Sequence, residues 1–210
     1  MIPNARRCDG HGISAGILGF SVAATGFLLG ATPAHALETE APSIHDTVEY
    51  HDITGNTEAD LGAALKRLPY AETSDDRSFA ANTRWQLRWK FSVESAGGGC
   101  RLVSATTDLD VQMNLPRWKA PPFARPELVK RWDAFAAALR KHEDGHRDIA
   151  VAAAYEIVER AQKTQPASDC EAFKRRLSRI ADATVREYRD KESSYDATTM
   201  HGRAQGASFP

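Results

Sequence analysis

The sequence predicts an α+β protein in which a β-sheet packs against two long helices. Apolar side chains occupy every second position between residues 85 and 93, and again between residues 103 and 115. This alternation is typical of strands with one buried face. Between residues 128 and 153 the apolar positions recur at steps of three and four, which indicates an amphipathic helix. Gly97–Gly99 separates the two alternating runs and predicts a hairpin between antiparallel strands.

The residues before this hairpin predict one strand and one short helix. The strand is expected at Thr47–Ile53, where Val48 and Tyr50 alternate with polar residues. The helix is expected to start after Thr57 and to stop at Pro69. We expect the strand to complete an antiparallel sheet whose single covered face carries both long helices.

Two long helices follow the hairpin. The first is expected to begin at Pro126 and to run to about Lys163. The second is expected to end near Asp190, and residues 193–210 show no periodicity and are expected to form a polar tail. The predicted buried face of the second helix consists of Phe173, Leu177, Ile180, Thr184 and Tyr188.

The N-terminal residues have the form of a secretory signal peptide. Two arginines precede an apolar run at residues 13–30, and a small-x-small cleavage motif ends at Ala36. We expect a signal peptide over residues 1–36, a leader over residues 37–46 and a single domain over residues 47–206. The apolar run is short and interrupted, so no stable membrane span is expected after cleavage. The protein is therefore expected to be exported to the periplasm or secreted, by the Sec or twin-arginine route.

The charge balance indicates which partners to expect, and the cysteines indicate which cellular compartment to expect. The full sequence has 27 basic and 28 acidic side chains. Residues 1–36 carry two of the basic and one of the acidic side chains, so their removal leaves 25 basic and 27 acidic side chains. This balance predicts no nucleic-acid partner and no membrane-surface binding. Cleavage also removes Cys8 and leaves Cys100 and Cys170, which lack the close C-x-x-C spacing of thiolate metal sites. We expect these two to form a disulfide in an oxidising compartment.

The core-facing side of the first long helix carries the segment His142-Glu143-Asp144-Gly145-His146. Residues four apart lie above one another on a helix, so His142 and His146 present two imidazoles to one point, as Zn²⁺ requires. Glu143 is rotated from that point by one residue and can reach a water there as a general base. Gly145 is unfavourable inside a helix and predicts the close approach of another chain segment.

A catalytic zinc site needs a third protein ligand, and two residues are candidates. Glu187 on the second helix would give a His₂Glu site, and His201 in the tail would give a His₃ site. We favour His201 because imidazole suits zinc and because Tyr195, Asp196 and His201 lie within seven residues. Tyr195 is then expected to donate a hydrogen bond to the developing oxyanion, and Asp196 to orient a ligand imidazole.

Five pieces of sequence occur in a recognisable order: Thr83–Trp89, Cys100, Leu115–Trp118, His142–His146 and Tyr195–Gly202. In these pieces the chain resembles the DUF922 family of predicted secreted zinc-dependent proteases. The resemblance covers most of residues 47–206. It implies a zincin-like peptidase fold with bound zinc, and it supports the fold and the metal more than any substrate.

These residues together predict an exported, zinc-dependent metallohydrolase that acts as a peptidase on peptide or protein substrates. Zinc held by His142, His146 and His201 is expected to lower the pKa of its water to about 7, and Glu143 to take the proton. Two other interpretations stay open. One is a non-catalytic periplasmic module that binds zinc and a partner, and the other is a hydrolase of cell-wall amides.

Overall fold

The computed structural model describes residues 38–69, 73–74, 77–78 and 80–209. The predicted signal peptide, residues 1–36, lies outside this part. The strands are β1 (Glu38–Thr39), β2 (Ser43–Ile53), β3 (Thr73–Ser74), β4 (Arg77–Ser78), β5 (Asn82–Ala96) and β6 (Gly99–Trp118). The helices are α1 (Glu58–Leu65), α2 (Pro126–Gln162) and α3 (Cys170–Thr199), and a 3₁₀ turn follows at Arg203–Gln205. The α+β class predicted from the sequence is confirmed.

Strands β5 and β6 form the long antiparallel hairpin that the alternating pattern predicts. Trp85 pairs with Val111, and the odd-numbered positions of both strands share one face up to an irregularity after Ser92. Gly97 and Gly98 make the turn with φ values of 59° and 81°. Positive φ costs glycine little, which explains why the alternating runs are joined by glycines.

The sheet is mixed, which corrects the predicted antiparallel sheet. Strand β2 runs parallel to β6, from Ser43 opposite Asp108 to Ile53 opposite Trp118, so β6 lies between β2 and β5. Strand β1 also pairs parallel with β6, so pairing begins inside the segment predicted as a leader. Side-chain alternation reports which face is buried and carries no information about strand direction. The connection through α1 returns to the same end of the sheet, and β5 then enters on the other side of β6.

Helices α2 and α3 pack together, and both contact the hairpin on one face of the sheet. Much of the contact is made by small side chains, which lets the elements approach closely. The central core cluster consists of Trp85, Leu87, Leu109, Val111, Ala150, Ala153, Ala154, Ile157, Ala181 and Tyr188. Within the described ranges, no helix has the length and apolar composition needed to cross a membrane.

A disulfide joins Cys100 at the start of β6 to Cys170 at the start of α3, as the sequence predicts. The two Cα atoms are 5.1 Å apart. Beside it, the backbones of Cys100 and Ala167 exchange two hydrogen bonds. Asp169 caps α3, since its carboxylate accepts from two backbone amides of the first turn. The beginning of α3 is therefore fixed to the turn end of the β5–β6 hairpin.

We expect loss of this disulfide to destabilise the protein by about 4 kcal/mol, because the bond spans 70 residues of chain. A Cys100→Ser, Cys170→Ser double variant should unfold at a lower temperature than the oxidised wild type, and at nearly the same temperature as the reduced wild type. Intact mass before and after reduction should differ by two hydrogen atoms. Free thiols at Cys100 and Cys170 in the purified, non-reduced protein would contradict the pairing.

Candidate metal centre

Helix α2 places two histidines and one glutamate against a cleft. His142 and His146 are one turn apart, and their ring centroids are separated by 4.9 Å. His142, His146 and Glu143 are buried, with 4%, 8% and 3% of their surfaces exposed. Burying three ionisable groups on one helical turn is unfavourable unless each finds a partner. The partners therefore define the site.

Helix α3 supplies the central partner, Asp196. Its Oδ1 atom lies 3.1 Å from Nε2 of His142 and 3.1 Å from Nε2 of His146. The three donor atoms all lie within 4.8 Å of one another. A tetrahedral zinc ion with bonds of about 2.0–2.1 Å separates its ligand atoms by about 3.3 Å. The cluster of His142, His146 and Asp196 (the His–Asp cluster) is thus spaced to hold one such ion.

The position of Asp196 depends on a correction to the predicted tail. Helix α3 does not end near Asp190 but continues to Thr199, so the segment from Ser193 is helical. Its inner face keeps a helical period to the end, through Phe173, Leu177, Ala181, Thr184, Tyr188, Glu192, Tyr195 and Thr199. The apolar pattern stops after Tyr188 because the helix faces polar groups of the site beyond that residue.

Each imidazole is also held at its second nitrogen. Nδ1 of His142 lies 3.0 Å from Oε1 of Gln205, and Nδ1 of His146 lies 3.4 Å from Oε1 of Glu192. Contacts of this kind fix the ring orientation and direct Nε2 to a ligand. Neither Gln205 nor Glu192 is predicted from the sequence. Glu192 lies one helical turn before Asp196, and this spacing could have identified it as a neighbour of the site, whereas no sequence pattern points to Gln205.

Glu143 is held by the sheet. The hydroxyl of Thr83, at the start of β5, donates to Oε2 of Glu143 at 2.7 Å. Burial raises the pKa of Glu143, although Thr83 and the two histidines act in the opposite direction. The second oxygen, Oε1, makes no hydrogen bond to a residue that the structure describes. It is the oxygen with which Glu143 can accept a proton from a water in the cleft.

Tyr195 packs against His142 and explains the glycine of the motif. Its ring stacks on the His142 imidazole with centroids 5.1 Å apart and planes inclined by 12°. A Cβ atom at position 145 would lie 2.2 Å from the Tyr195 hydroxyl oxygen, so the close approach predicted at Gly145 is present. The hydroxyl donates to the carbonyl of His142 at 3.3 Å. Tyr195 is not among the described residues that line the cleft, and its ring and hydroxyl contact His142; its expected hydrogen bond to an oxyanion stays a prediction.

The two predicted third ligands lie in different places. Nδ1 of His201 is 3.4 Å from Oδ1 of Asp196, with 36% of its side chain exposed, at the rim of the His–Asp cluster. Glu187 pairs with Arg160 at 2.7 Å and with Lys191 at 2.8 Å, away from the cluster. This geometry favours Asp196 over His201 and gives Glu187 no ligand role.

The chain reverses direction immediately after α3. Met200, His201 and Gly202 have φ values of 52°, 53° and 79°. A left-handed conformation costs a non-glycine residue about 1–2 kcal/mol, so the reversal is strained. At Gly202 a Cβ atom would lie 3.0 Å from Cγ of His142, which leaves room only for glycine. The turn carries residues 203–209 back against α2.

The His–Asp cluster and Glu143 line a cleft of about 670 Å³. Its volume is in the range of small-molecule and peptide sites. Toward the N-terminal part of α2 its wall is apolar, and the α3 side is polar. The apolar wall is formed by Leu65, Phe135, Leu139, Ala207 and Phe209.

A second group of potential ligands lies on the exposed face of the sheet. It consists of His45, Asp108 and Asp110. Arg88 forms ion pairs with both aspartates, and His45 lies 3.5 Å from Asp108. The guanidinium already supplies the positive charge that these carboxylates need, and all four groups are accessible to water. We interpret this group as a surface ion-pair network.

The fold and the cleft define an α+β domain that brings two buried imidazoles and the half-buried carboxylate of Asp196 together, a donor set of the kind that binds metal. The chain matches the family model described as "Bacterial protein of unknown function (DUF922)" over residues 48–202, and it belongs to this family. The matched region contains the α2 motif, Thr83 and Asp196, and Gln205 follows it. No curated protein and no solved structure matches the chain.

The metal-free protein should lose stability as pH rises through about 9. Burial disfavours the charged form of His146, but hydrogen bonds with Asp196 and Glu192 outweigh it and raise the pKa from 6.5 to about 9. A raised pKa contributes stability that is fully present below the unfolded value and is lost as pH passes the folded value. The stabilisation is therefore complete below pH 6.5 and disappears above about pH 9.

Urea unfolding of chelator-treated protein at several pH values measures this effect. In His146→Gln, most of the loss of stability with rising pH should disappear. His45→Gln, which replaces an exposed histidine, should lose stability with rising pH as the wild type does. A wild-type and a His146→Gln protein with the same pH dependence would contradict the assignment.

Proposed function

We propose that this protein is an exported zinc-dependent amide hydrolase, a peptidase, in which His142, His146 and Asp196 hold zinc and Glu143 is the general base. The observation that carries the proposal is the position of Glu143. It is buried beside the His–Asp cluster, is held by Thr83 at one oxygen, and is not a member of the cluster. A purely structural metal site has no use for such a carboxylate.

The chemistry of the donor set supports a catalytic site. Two imidazoles and one carboxylate are three ligands of the type that zinc takes when its fourth position is left for water. Zinc bound there supplies a Lewis acid that lowers the pKa of a coordinated water to about 7. Oδ1 of Asp196 lies 3.1 Å from Nε2 of each histidine, so one ion among these atoms would contact three donor atoms at once.

Glu143 has two roles in the proposed reaction. Its carboxylate accepts a proton from the water as the water oxygen adds to the carbonyl carbon of the amide. It then donates that proton to the nitrogen as the C–N bond breaks, so the products are a carboxylic acid and an amine. Thr83 restrains the carboxylate through Oε2, which keeps Oε1 directed to one position.

The cleft wall supports a substrate with an apolar side chain near the bond that is cut. Leu65, Leu139 and Phe209 contribute to this wall, and Leu139 precedes Glu143 by about one turn of α2. Burial of one such side chain contributes about 1.5–3 kcal/mol, enough to select among peptides. Export is supported by the signal-like residues 1–36 and by the Cys100–Cys170 disulfide, a bond typical of oxidising compartments.

We expect about one zinc ion per chain, and loss of a ligand should weaken zinc by more than the roughly 10–100-fold typical of losing a supporting contact. His142→Ala, His146→Ala and Asp196→Ala should each have this effect in a competitive chelator titration. His201→Ala should cause a smaller loss, and Glu187→Gln none. Tight zinc binding by Asp196→Ala together with severe loss in His201→Ala would make His201 the third ligand.

We expect Glu143→Gln to keep zinc and to lose turnover by about 10²–10⁴-fold, because an amide cannot accept the proton of the water. Digestion of a diverse peptide library, read by mass spectrometry, measures the rates and shows whether cuts fall beside apolar residues. Glu187→Gln, the same change at an exposed position, should cut like wild type. If the zinc-loaded wild type cuts nothing, the protein is a zinc-binding module; if Glu143→Gln cuts at the wild-type rate, the mechanism is wrong.

A further inference from the structure

Gln205, Tyr195 and His142 form a closed ring of hydrogen bonds behind the His–Asp cluster. Oε1 of Gln205 lies 3.0 Å from Nδ1 of His142, and Nε2 of Gln205 lies 3.0 Å from the Tyr195 hydroxyl. The hydroxyl in turn lies 3.3 Å from the backbone carbonyl oxygen of His142. The ring therefore begins and ends on the same histidine.

The direction of every hydrogen bond in this ring follows from the chemistry of its members. The Tyr195 hydroxyl has one proton, and the carbonyl oxygen of His142, at 3.3 Å, is a nearer acceptor for it than Oε1 of Gln205, at 3.4 Å. The hydroxyl oxygen then accepts from the Nε2 group of Gln205, which turns Oε1 of the amide toward His142. An amide oxygen also only accepts, so Nδ1 of His142 carries the proton. Nε2, the atom that faces Asp196, is then the nitrogen whose lone pair a metal ion would use; without an ion, Nε2 can carry a second proton and donate to Oδ1 of Asp196.

We propose that Gln205 is a positioning residue that fixes the tautomer and orientation of His142 for metal binding. The predicted effect of Gln205 on zinc affinity rests on the proposed function, whereas its predicted effect on the tautomer of His142 does not.

The placement of Gln205 has its own structural basis. The reversal at Met200–Gly202 returns the chain toward α2, and Gly206, with a φ of 99°, ends the 3₁₀ turn that carries Gln205. Phe209 then packs on Trp132 and Phe135, with centroids 5.5 Å and 5.2 Å away. The amide is thus held from both sides before any ion binds, which lowers the ordering cost of the site.

Because of the Gln205 amide, the two histidines of the His–Asp cluster have different kinds of partner at Nδ1. Nδ1 of His146 faces the carboxylate of Glu192, whereas Nδ1 of His142 faces a neutral oxygen. A neutral acceptor specifies the proton position without adding a negative charge to a site that already contains Glu143 and Asp196. This difference explains why glutamine, and not a second carboxylate, occupies position 205.

The test compares Gln205→Met, which keeps the length and removes the acceptor, with Gln205→Glu, which keeps an acceptor oxygen. Gln86→Met is the matched control, because Gln86 is an exposed residue of β5. Competitive titration should show zinc binding weakened by about 10–100-fold in Gln205→Met. Gln205→Glu should recover most of the affinity, and Gln86→Met should bind like wild type. Equal losses in Gln205→Met and Gln205→Glu would mean that the side chain only fills space and would overturn the proposal.

Nitrogen-15 NMR of the metal-free protein gives a readout that does not involve zinc. Wild-type His142 should carry a proton on Nδ1, with or without a second proton on Nε2, and Gln205→Met should lose this preference while its folded spectrum is retained. A wild-type His142 with a proton on Nε2 and none on Nδ1 would overturn the proposal whether or not the protein binds zinc. A wild type that has the expected tautomer but binds no zinc would overturn the proposed function and leave the role of Gln205 standing.

Discussion

The contact of one carboxylate with two imidazoles is the constraint on which the rest of this structure depends. Asp196 meets His142 and His146 where α2 and α3 no longer have apolar side chains to bury against each other. Buried ionisable groups are tolerated only when they are paired. Helix α3 must therefore be long enough to reach His142 and His146. The chain after α3 must turn back so that Gln205 can accept a hydrogen bond from Nδ1 of His142, the nitrogen that Asp196 does not face. The alanines of the central core bring the helices close enough for these short side chains to meet.

Much of the site could be predicted because three of its members share one helix. The spacing of His142 and His146 and the position of Glu143 are local properties of α2, and Gly145 gave a correct signal of a close neighbour. Asp196 is different, since its role depends on how α3 aligns with α2, which is set by packing between residues far apart in sequence. The sequence shows an aspartate close to Tyr195 and His201. It does not show that this segment is helical, because polar residues there replace the apolar residues that mark a buried helix face.

The same distinction applies to the fold. The hairpin was predictable because both strands alternate and a glycine turn joins them, and the disulfide was predictable because Cys100 and Cys170 are the two cysteines outside the expected signal peptide. The direction of β2 was not, because a strand with one buried face has the same pattern in parallel and antiparallel pairing. Thr83 likewise appears in the sequence only as the first residue of a strand. Its hydrogen bond to Glu143 exists because the crossing connection brings the start of β5 beside α2.

The reversal after α3 has a consequence for how the protein comes into being. A chain emerges from the ribosome N-terminus first, at about 5–20 residues per second, so α2 and its two histidines exist seconds before Asp196 and Gln205. During that interval the strands and α2 are present, but the third donor and the support for His142 are not. The strained turn at Met200–Gly202 forms only when the aromatic cluster can receive Phe209. Assembly of the cleft is thereby linked to the arrival of late residues, and a chain that ends before Asp196 lacks the complete His–Asp cluster.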